Sequence, residues 1–184
     1  YIALHKPVQV VSTASDPEGR ETVLDILPRQ YKNNRLYPVG RLDYFSEGLI
    51  LLTNDGELTH RLTHPSYHLP KIYEVTVRET PSAHMLRLMR SGLTLEEGER
   101  LAPVEAAVSP ENPQHMRLVL HQGVNRQIRR MCRDLGLTIL KLVRVSIGPV
   151  NLGDLPSGKA RVLPLDDVAA LKQAVRLRQS LPTP

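Results

Sequence analysis

A carboxylate in a predicted loop, just before an apolar run, is the group of this chain best placed for chemistry. Asp43 ends the string Gly40-Arg41-Leu42-Asp43, and the apolar run Leu49-Ile50-Leu51-Leu52 follows shortly after it. A loop carboxylate held against a rigid strand is a common position for a catalytic group. Such a carboxylate can attack as a nucleophile or accept a proton as a base. The sequence therefore offers Asp43 as a candidate catalytic residue, against the ordinary alternative of a turn residue.

A second candidate site is a basic helix predicted over residues 125–136. Asn125 would cap its start and Gly136 its end. At about 100° per residue, four arginines share one arc and the opposite arc is apolar: Arg126, Arg129, Arg130 and Arg133 against Ile128, Met131, Cys132 and Leu135. Clustered guanidinium groups repel each other unless an anion faces them, and only Asp134 lies within the helix. The pattern therefore favours a polyanion or a buried carboxylate partner over the ordinary alternative, a solvated face beside acidic neighbours. A guanidinium binds phosphate or carboxylate with two hydrogen bonds.

Other polar groups fit structural roles better than catalytic ones. Glu47 and Asp55 could form an acid–base pair of the glycosidase kind, but Asp55 is better explained as a helix N-cap. His60 and His64 could share a helix face as metal ligands, but no convincing third ligand lies nearby in the sequence. We therefore expect no metal site.

The elements predicted around these candidates define an α+β fold. Strands are expected at 2–5, 49–53, 71–77, 104–108, 116–121 and 138–147. Helices are expected at 23–27, at 55–63, from Pro81 to Gly92, at 125–136, and after a cap at Asp166 or Asp167. Because strands outnumber helices and do not alternate regularly with them, a largely antiparallel sheet is favoured.

Composition limits the class of protein. The 184 residues suffice for one core or for two small lobes that share a cleft. A formal charge of +5 suits an anionic partner, whereas aromatic residues, at 4%, are too few for a platform of stacked bases. No apolar run approaches the ~18 residues of a membrane span, and the single cysteine, Cys132, fits a reducing cytoplasm. Because the chain starts at Tyr1, we expect a fragment of a longer protein. We also expect a cytoplasmic location and a monomer.

Several strings of the chain, in order, resemble the pseudouridine synthases of the RsuA/RluB type, which isomerise uridine in ribosomal RNA. They are Lys6-Pro7, Asp16-Pro17-Glu18-Gly19-Arg20, Gly40-Arg41-Leu42-Asp43, the run 46–56, Lys71-Ile72-Tyr73-Glu74-Val75 and Asn125-Arg126-Gln127-Ile128-Arg129-Arg130-Met131. Each string is weak alone, but their common order spans nearly the whole chain. One departure is Gln9, which stands where the family commonly has a glycine after Lys6-Pro7.

The resemblance implies roles for particular residues. Asp43 would be the catalytic carboxylate, Arg129 would pair with it, and Tyr73 would lie against the base. Arg41 would hold or move the target nucleotide. Further RNA contacts would come from Lys71 and from the predicted basic helix, through Arg126, Arg130 and Arg133. The implied fold is a largely antiparallel mixed sheet with flanking helices and a central active-site cleft. Residues 1–176 would form the catalytic domain, in two sublobes around one cleft, followed by a tail at 177–184 and without the S4 domain that the family often carries.

The implied reaction replaces the C1′–N1 bond of a uridine by a C1′–C5 bond. It needs no cofactor, because the base is both the leaving group and the nucleophile. The implied partner is ribosomal RNA, and the large-subunit (23S) RNA is favoured. Asp43 could attack C1′ or C6, or could take the 2′ proton. A stacked base must first flip out of its helix. Two rival functions remain: a non-catalytic RNA-binding module for ribosome assembly, in which Asp43 has no role, and a hydrolase with a second carboxylate about 5–9 Å from Asp43.

Overall fold

The structure, a computed structural model, describes residues 1–67 and 69–176, and nine strands in these residues form one sheet. The strands are β1 (Ile2–Lys6), β2 (Tyr37–Val39), β3 (Glu47–Thr53), β4 (Lys71–Val77), β5 (Glu105–Val108), β6 (His115–Leu120), β7 (Ile139–Ile147), β8 (Val150–Asn151) and β9 (Ala160–Val162). Their order is β5-β6-β4-β7-β3-β1-β9, with β2 beside β3 and β8 beside β7. All these neighbours are antiparallel except β3 and β7, which are parallel. The predicted α+β class and largely antiparallel mixed sheet are therefore confirmed.

Five α-helices accompany the sheet in the described part of the chain. They are α1 (Arg29–Lys32), α2 (Gly56–Thr63), α3 (Ala83–Ser91), α4 (Gln127–Asp134) and α5 (Leu165–Ala174). The Asp55 carboxylate accepts a hydrogen bond from the Leu58 N–H at 3.0 Å, so its predicted role as the cap of α2 is confirmed. Helix α4 ends at Asp134 with Leu135 as its C-cap, and the predicted terminating glycine, Gly136, follows with a φ of 74° that suits a glycine after a helix. None of the helices in the described residues is long and apolar enough to cross a membrane.

Three local predictions are wrong. Residues 23–27 form turns instead of a helix, because the Asp25 carboxylate binds the Thr22 N–H and hydroxyl and Pro28 has no N–H to continue a helical ladder. Pro164 instead of an aspartate precedes the first residue of α5, and Asp166 and Asp167 lie in its first turn. There they face the positive end of the helix dipole. Asn125 does not cap α4, whose N-cap is Arg126.

The apolar core consists of three clusters on the two halves of the sheet. One cluster joins β4, β5 and β6 to α3 and α4. The other two cover opposite sides of β1 and β3, one with α2 and α5 and the other with the segment around Val10, Val23 and Leu27. Tyr73 packs against a cluster of each half. The division of residues 1–176 into two sublobes stays a prediction, and the predicted tail at 177–184 lies outside the described residues.

The two halves of the sheet meet where β3 runs parallel to β7. Gly48 on β3 pairs with Arg144 on β7. A Cβ atom at Gly48 would lie 2.2 Å from the Arg144 carbonyl oxygen, and the φ of Gly48 is 112°. Only glycine allows the strands to approach this closely. The close approach places the loop before β3 directly beside β7.

Candidate active site

A cleft of about 360 Å³ is lined by the loop before β3, the start of β4, the N-terminal end of α4 and β7. Its charged lining residues within the described part of the chain are Arg41, Asp43, Lys71, Arg126, Arg129 and Arg144. One carboxylate therefore lies among five cationic side chains. This arrangement suits a polyanionic ligand and a reaction at a single carboxylate. A hydrolase of the two-carboxylate kind is not supported, since Asp43 is the one acidic residue among the described residues that line the cleft.

The loop that carries Asp43 is tied to the N-terminal segment of the chain. Leu42 is buried, and its N–H and C=O groups bond to the Ser12 hydroxyl at 3.0 and 2.8 Å. The Gln9 N–H donates to the Tyr44 carbonyl at 2.7 Å, and the Ser46 N–H donates to the Asp43 carbonyl at 3.0 Å. These bonds hold the backbone on both sides of Asp43, whose side chain is 31% exposed. The carboxylate is thus fixed in position and still accessible from the cleft.

Gln9, which stands where the family commonly has a glycine, adopts a backbone conformation that glycine favours. Gln9 has a φ of 63°, in the left-handed region. A non-glycine residue pays roughly 1–2 kcal/mol for this conformation. The loop after Lys6-Pro7 therefore keeps the backbone shape that a glycine would allow. The Gln9 N–H still donates to the Tyr44 carbonyl.

Arg129 lies next to Asp43, as the resemblance implies. Its Nε is 3.7 Å from Asp43 Oδ2, and its Nη2 donates to the Phe45 carbonyl at 2.9 Å and to the Ser46 hydroxyl at 3.1 Å. Burial lowers the pKa of Arg129, and the Asp43 charge partly raises it again. An arginine stays charged at neutral pH even so. Arg129 therefore supplies a fixed positive charge beside Asp43 and also holds the loop, but its catalytic role stays a prediction.

Arg126 is a second cation beside the Asp43 carboxylate. Its Nη1 lies 3.9 Å from Asp43 Oδ2, and its side chain is more than half exposed. Arg126 has a φ of 49° and makes no side-chain cap bond to α4. Both cation contacts to Asp43 are longer than hydrogen bonds, so the carboxylate keeps its lone pairs free for a substrate.

Two residues of β4, Lys71 and Tyr73, line the cleft. Val75 and Val77 are fully buried, whereas Tyr73 is partly buried and lines the cleft. The pairing of β4 with β7 shifts register between Ile72 and Tyr73, so Tyr73 pairs with Arg144. Burial lowers the pKa of Lys71, and the nearby Arg144 charge lowers it further. The structure thus places both residues where the resemblance implies contact with a nucleotide, and those contacts stay predictions.

The basic arc of α4 is divided between two environments. Arg126 and Arg129 face Asp43, whereas Arg130 and Arg133 face acidic side chains, among them two from the segment after α3. Arg130 pairs with Glu97 and Glu99, both at 2.5 Å, and Arg133 pairs with Glu97 and Asp134, both at 2.8 Å. The sequence pattern alone missed Glu97 and Glu99 as partners. RNA contacts by Arg130 and Arg133 stay predictions, and phosphate would have to replace these carboxylates.

Two buried cations next to the Asp43 loop were not predicted from the sequence. Lys6 is fully buried, and its ammonium group donates to the carbonyls of Pro7 and Val10 at 2.8 and 2.9 Å. Burial lowers its pKa to about 8, against the opposing effect of Asp43. Arg144 is 3% exposed and bonds to carbonyls of the Asp43 loop region. A lysine or arginine within a strand pattern carries no signal of burial, so only the Lys6-Pro7 string could have drawn attention to one of them.

Metal ligation finds no support in this structure. No group of three or more His, Cys, Asp or Glu side chains within residues 1–67 and 69–176 could hold a metal ion. The rings of His60 and His64 lie 5.4 Å apart, and the His64 Nδ1 contacts the Ser66 hydroxyl at 2.5 Å. His64 is thus engaged in a local hydrogen bond instead of facing a shared metal site.

Comparison with known proteins identifies the family. The model of the RNA pseudouridylate synthase family matches residues 1–134. The chain is 40% identical over 178 residues to the ribosomal large subunit pseudouridine synthase B of Bacillus subtilis, covering 94% of this chain and 71% of that protein. It is 41% identical over 179 residues to an uncharacterized RNA pseudouridine synthase of Mycobacterium tuberculosis, covering 96% of this chain and 70% of the relative.

A solved structure supports this assignment. A crystal structure of a pseudouridylate synthase superposes with a TM-score of 0.83 at 28% identity, over 92% of this chain and 72% of the other. The match confirms the implied fold. The chain therefore belongs to the RNA pseudouridine synthase family and is an isomerase that acts on RNA.

Proposed function

We propose that this enzyme converts a specific uridine of large-subunit ribosomal RNA to pseudouridine, with Asp43 as the catalytic carboxylate. The observation that carries the proposal is the position of Asp43, 3.7 Å from Arg129 and the one acidic residue beside five cationic ones among the described residues that line the cleft. A relative at 40% identity is named for the large ribosomal subunit, which supports the choice of RNA.

The residues of the cleft fit a reaction that needs no cofactor. The C1′–N1 bond breaks, and the uracil leaves with the bonding electron pair. The base then rotates, and C5 forms the new bond to C1′. The C5 proton passes to solvent, and N1, which no longer carries the ribose, takes up a proton. Asp43 can attack C1′ or C6 as a nucleophile, or take the 2′ proton as a base. Arg129 would hold a positive charge next to the carboxylate in all three routes.

The target base must leave its stack to reach Asp43. Tyr73 would form one wall of the base site, since its ring lines the cleft. Arg41 is exposed at the same cleft and would fill the vacated space or bind the flipped phosphate. Lys71, on the first residue of β4, would contact the same nucleotide.

A groove beside the cleft offers a path for the RNA backbone. It has a volume of about 510 Å³, and its lining comprises the four arginines of the basic arc and residues 136–139. Arg126 and Arg129 line both the cleft and the groove, so the two lie next to each other. Phosphates next to the target nucleotide would bind Arg126, and those further along would bind Arg130 and Arg133. The proposal includes a monomer without a metal ion, and a cytoplasmic location where ribosomal RNA is available.

The test is release of tritium from ribosomal RNA labelled at C5 of uridine, followed by mapping of the modified position. We expect the parent chain to release tritium from large-subunit RNA and not from small-subunit RNA, and Asp43→Asn to release none. The Asn variant keeps the shape of the side chain but loses its charge and basicity, so RNA affinity should change little.

Four results would contradict parts of this proposal. Turnover of Asp43→Asn near that of the parent would remove Asp43 from the chemistry. Reaction with small-subunit RNA alone would overturn the choice of substrate. Binding of RNA with no tritium release would favour the non-catalytic binding module, and free uracil as product would favour a hydrolase.

A further inference from the structure

The Asp43 loop is held at its two ends by one buried side chain. Arg144 on β7 donates from Nε to the Leu49 carbonyl at 2.8 Å, just after the loop. It also donates from Nη1 to the Arg41 carbonyl at 3.4 Å, just before Asp43. Both bonds cross from β7 to a segment far away in the sequence. One planar guanidinium therefore spans the segment from Arg41 to Leu49, with Asp43 between its two contacts.

The same residue joins the Asp43 loop to the strand that carries Tyr73. The Arg144 backbone pairs with Tyr73 on one side and with Gly48 on the other. The Gly48 contact leaves no room for a Cβ atom. Arg144 thus lies between the two halves of the sheet, and a shift of its side chain would change the position of Asp43 relative to Tyr73.

Arg144 is a buried cation whose guanidinium group is only partly hydrogen-bonded. Arg144 is 3% exposed, and its Nη2 has no hydrogen-bond partner in the described residues. Its side-chain bonds there go to backbone carbonyls and not to a carboxylate. Lys6 and Lys71 are cationic neighbours whose pKa values Arg144 lowers. An apolar residue of similar size would fill the space without the desolvation penalty of a buried charge. A guanidinium that is buried, only partly bonded and close to other cations indicates a role beyond packing.

We infer that Arg144 is a positioning residue of the reaction, which holds the backbone on both sides of Asp43 so that the carboxylate meets a base seated against Tyr73. Arg144 does not itself contact the reacting atoms. This inference rests on the proposed function for its effect on turnover, while its effect on the loop is independent of any substrate.

The test compares Arg144→Met with Arg90→Met. Arg90 also donates to a backbone carbonyl, that of Ala106, through Nε and Nη2, but it lies outside the cleft. For Arg144→Met we expect a fall in kcat of about 100-fold, because a misplacement of about 1 Å has an effect of this size. KM for RNA should stay within about threefold. The Ser46 amide, which bonds to the Asp43 carbonyl, should exchange its hydrogen about tenfold faster or more. Arg90→Met should change none of the three quantities.

Arg144→Lys provides a second variant if Arg144→Met fails to fold. It keeps the charge but can reach only one of the two carbonyls, so we expect an intermediate kcat and faster exchange at Ser46. The inference is overturned if kcat of the folded variant stays within threefold of the parent, if kcat falls without faster exchange at Ser46, or if Arg90→Met has the same effects. A parent enzyme inactive on large-subunit RNA would refute the proposed substrate, and the exchange measurement would still decide whether Arg144 holds the loop.

Discussion

Replacement of Arg129 by alanine should damage the reaction far more than replacement of Arg133, although both lie on one arc of α4. Arg129 contributes a charge at 3.7 Å from Asp43 and two hydrogen bonds to the loop that carries it. At an effective dielectric constant of about 20, a charge pair at this distance is worth about 4 kcal/mol before solvent screening. Because Asp43 is 31% exposed, we expect about 3 kcal/mol to remain. We expect the transition state to lose this stabilisation in the variant, which corresponds to a fall in kcat of about 100-fold.

Arg133 has no comparable contact. Its side chain is 56% exposed and pairs with Glu97 and Asp134, on the part of α4 that faces away from Asp43. We expect Arg133→Ala to leave kcat within twofold of the parent. If Arg133 binds a phosphate, the variant should bind RNA more weakly, and the slope of log affinity against log salt should fall by about 1.

The assay is single-turnover tritium release at saturating RNA, with affinity measured separately at several salt concentrations. Arg126 also faces Asp43, at 3.9 Å, so it can replace part of the lost charge. The double variant Arg126→Ala/Arg129→Ala should therefore lose more activity than the sum of the two single losses in free energy. Equal losses of kcat in Arg129→Ala and Arg133→Ala would refute the pairing of Arg129 with the catalytic carboxylate.

Three further predictions concern the wall of the base site, the strand junction and the buried lysine. Tyr73→Phe should keep RNA affinity but lower single-turnover kcat, because the hydroxyl can carry a proton, and Tyr73→Leu should also weaken binding; full turnover in both variants would make Tyr73 a core residue only. Gly48→Ala should lower the free energy of unfolding by about 2–6 kcal/mol in urea titrations, from the positive φ and the clash with the Arg144 carbonyl. Gly19→Ala, at a φ of 72° with no atom within 4 Å of a Cβ, should cost only the backbone part, and equal losses would exclude the clash. Burial lowers the pKa of Lys6 to about 8, so as the pH rises the folded chain releases this proton before the unfolded chain does. The free energy of unfolding of the parent should therefore increase by up to about 3 kcal/mol between pH 8 and 10.5. Lys6→Met should lack this gain, and parallel pH profiles for the two proteins would refute it.

The sequence by itself determined those features that depend on neighbours along the chain. The strands at 49–53 and 71–77 follow from local patterns of apolar residues, and the N-cap at Asp55 follows from its position before a helical run. The two-sided character of α4 is equally local, since Ile128 and Met131 are buried as the helical period predicts. The family strings placed Asp43, Tyr73 and Arg129 in one site, and the structure brings all three to one cleft.

Only the tertiary structure decided how the charges are partnered. Glu97, in the segment after α3, pairs with both Arg130 and Arg133. The four arginines of α4 therefore do not form one uniform basic face. Such partners depend on which distant segments pack together, and helical periodicity contains no information on this. The burial of Arg144 has the same origin. It follows from the parallel contact of β7 with β3, where Gly48 permits the close approach, and a strand pattern alone cannot show that a charged residue ends up between two halves of a sheet.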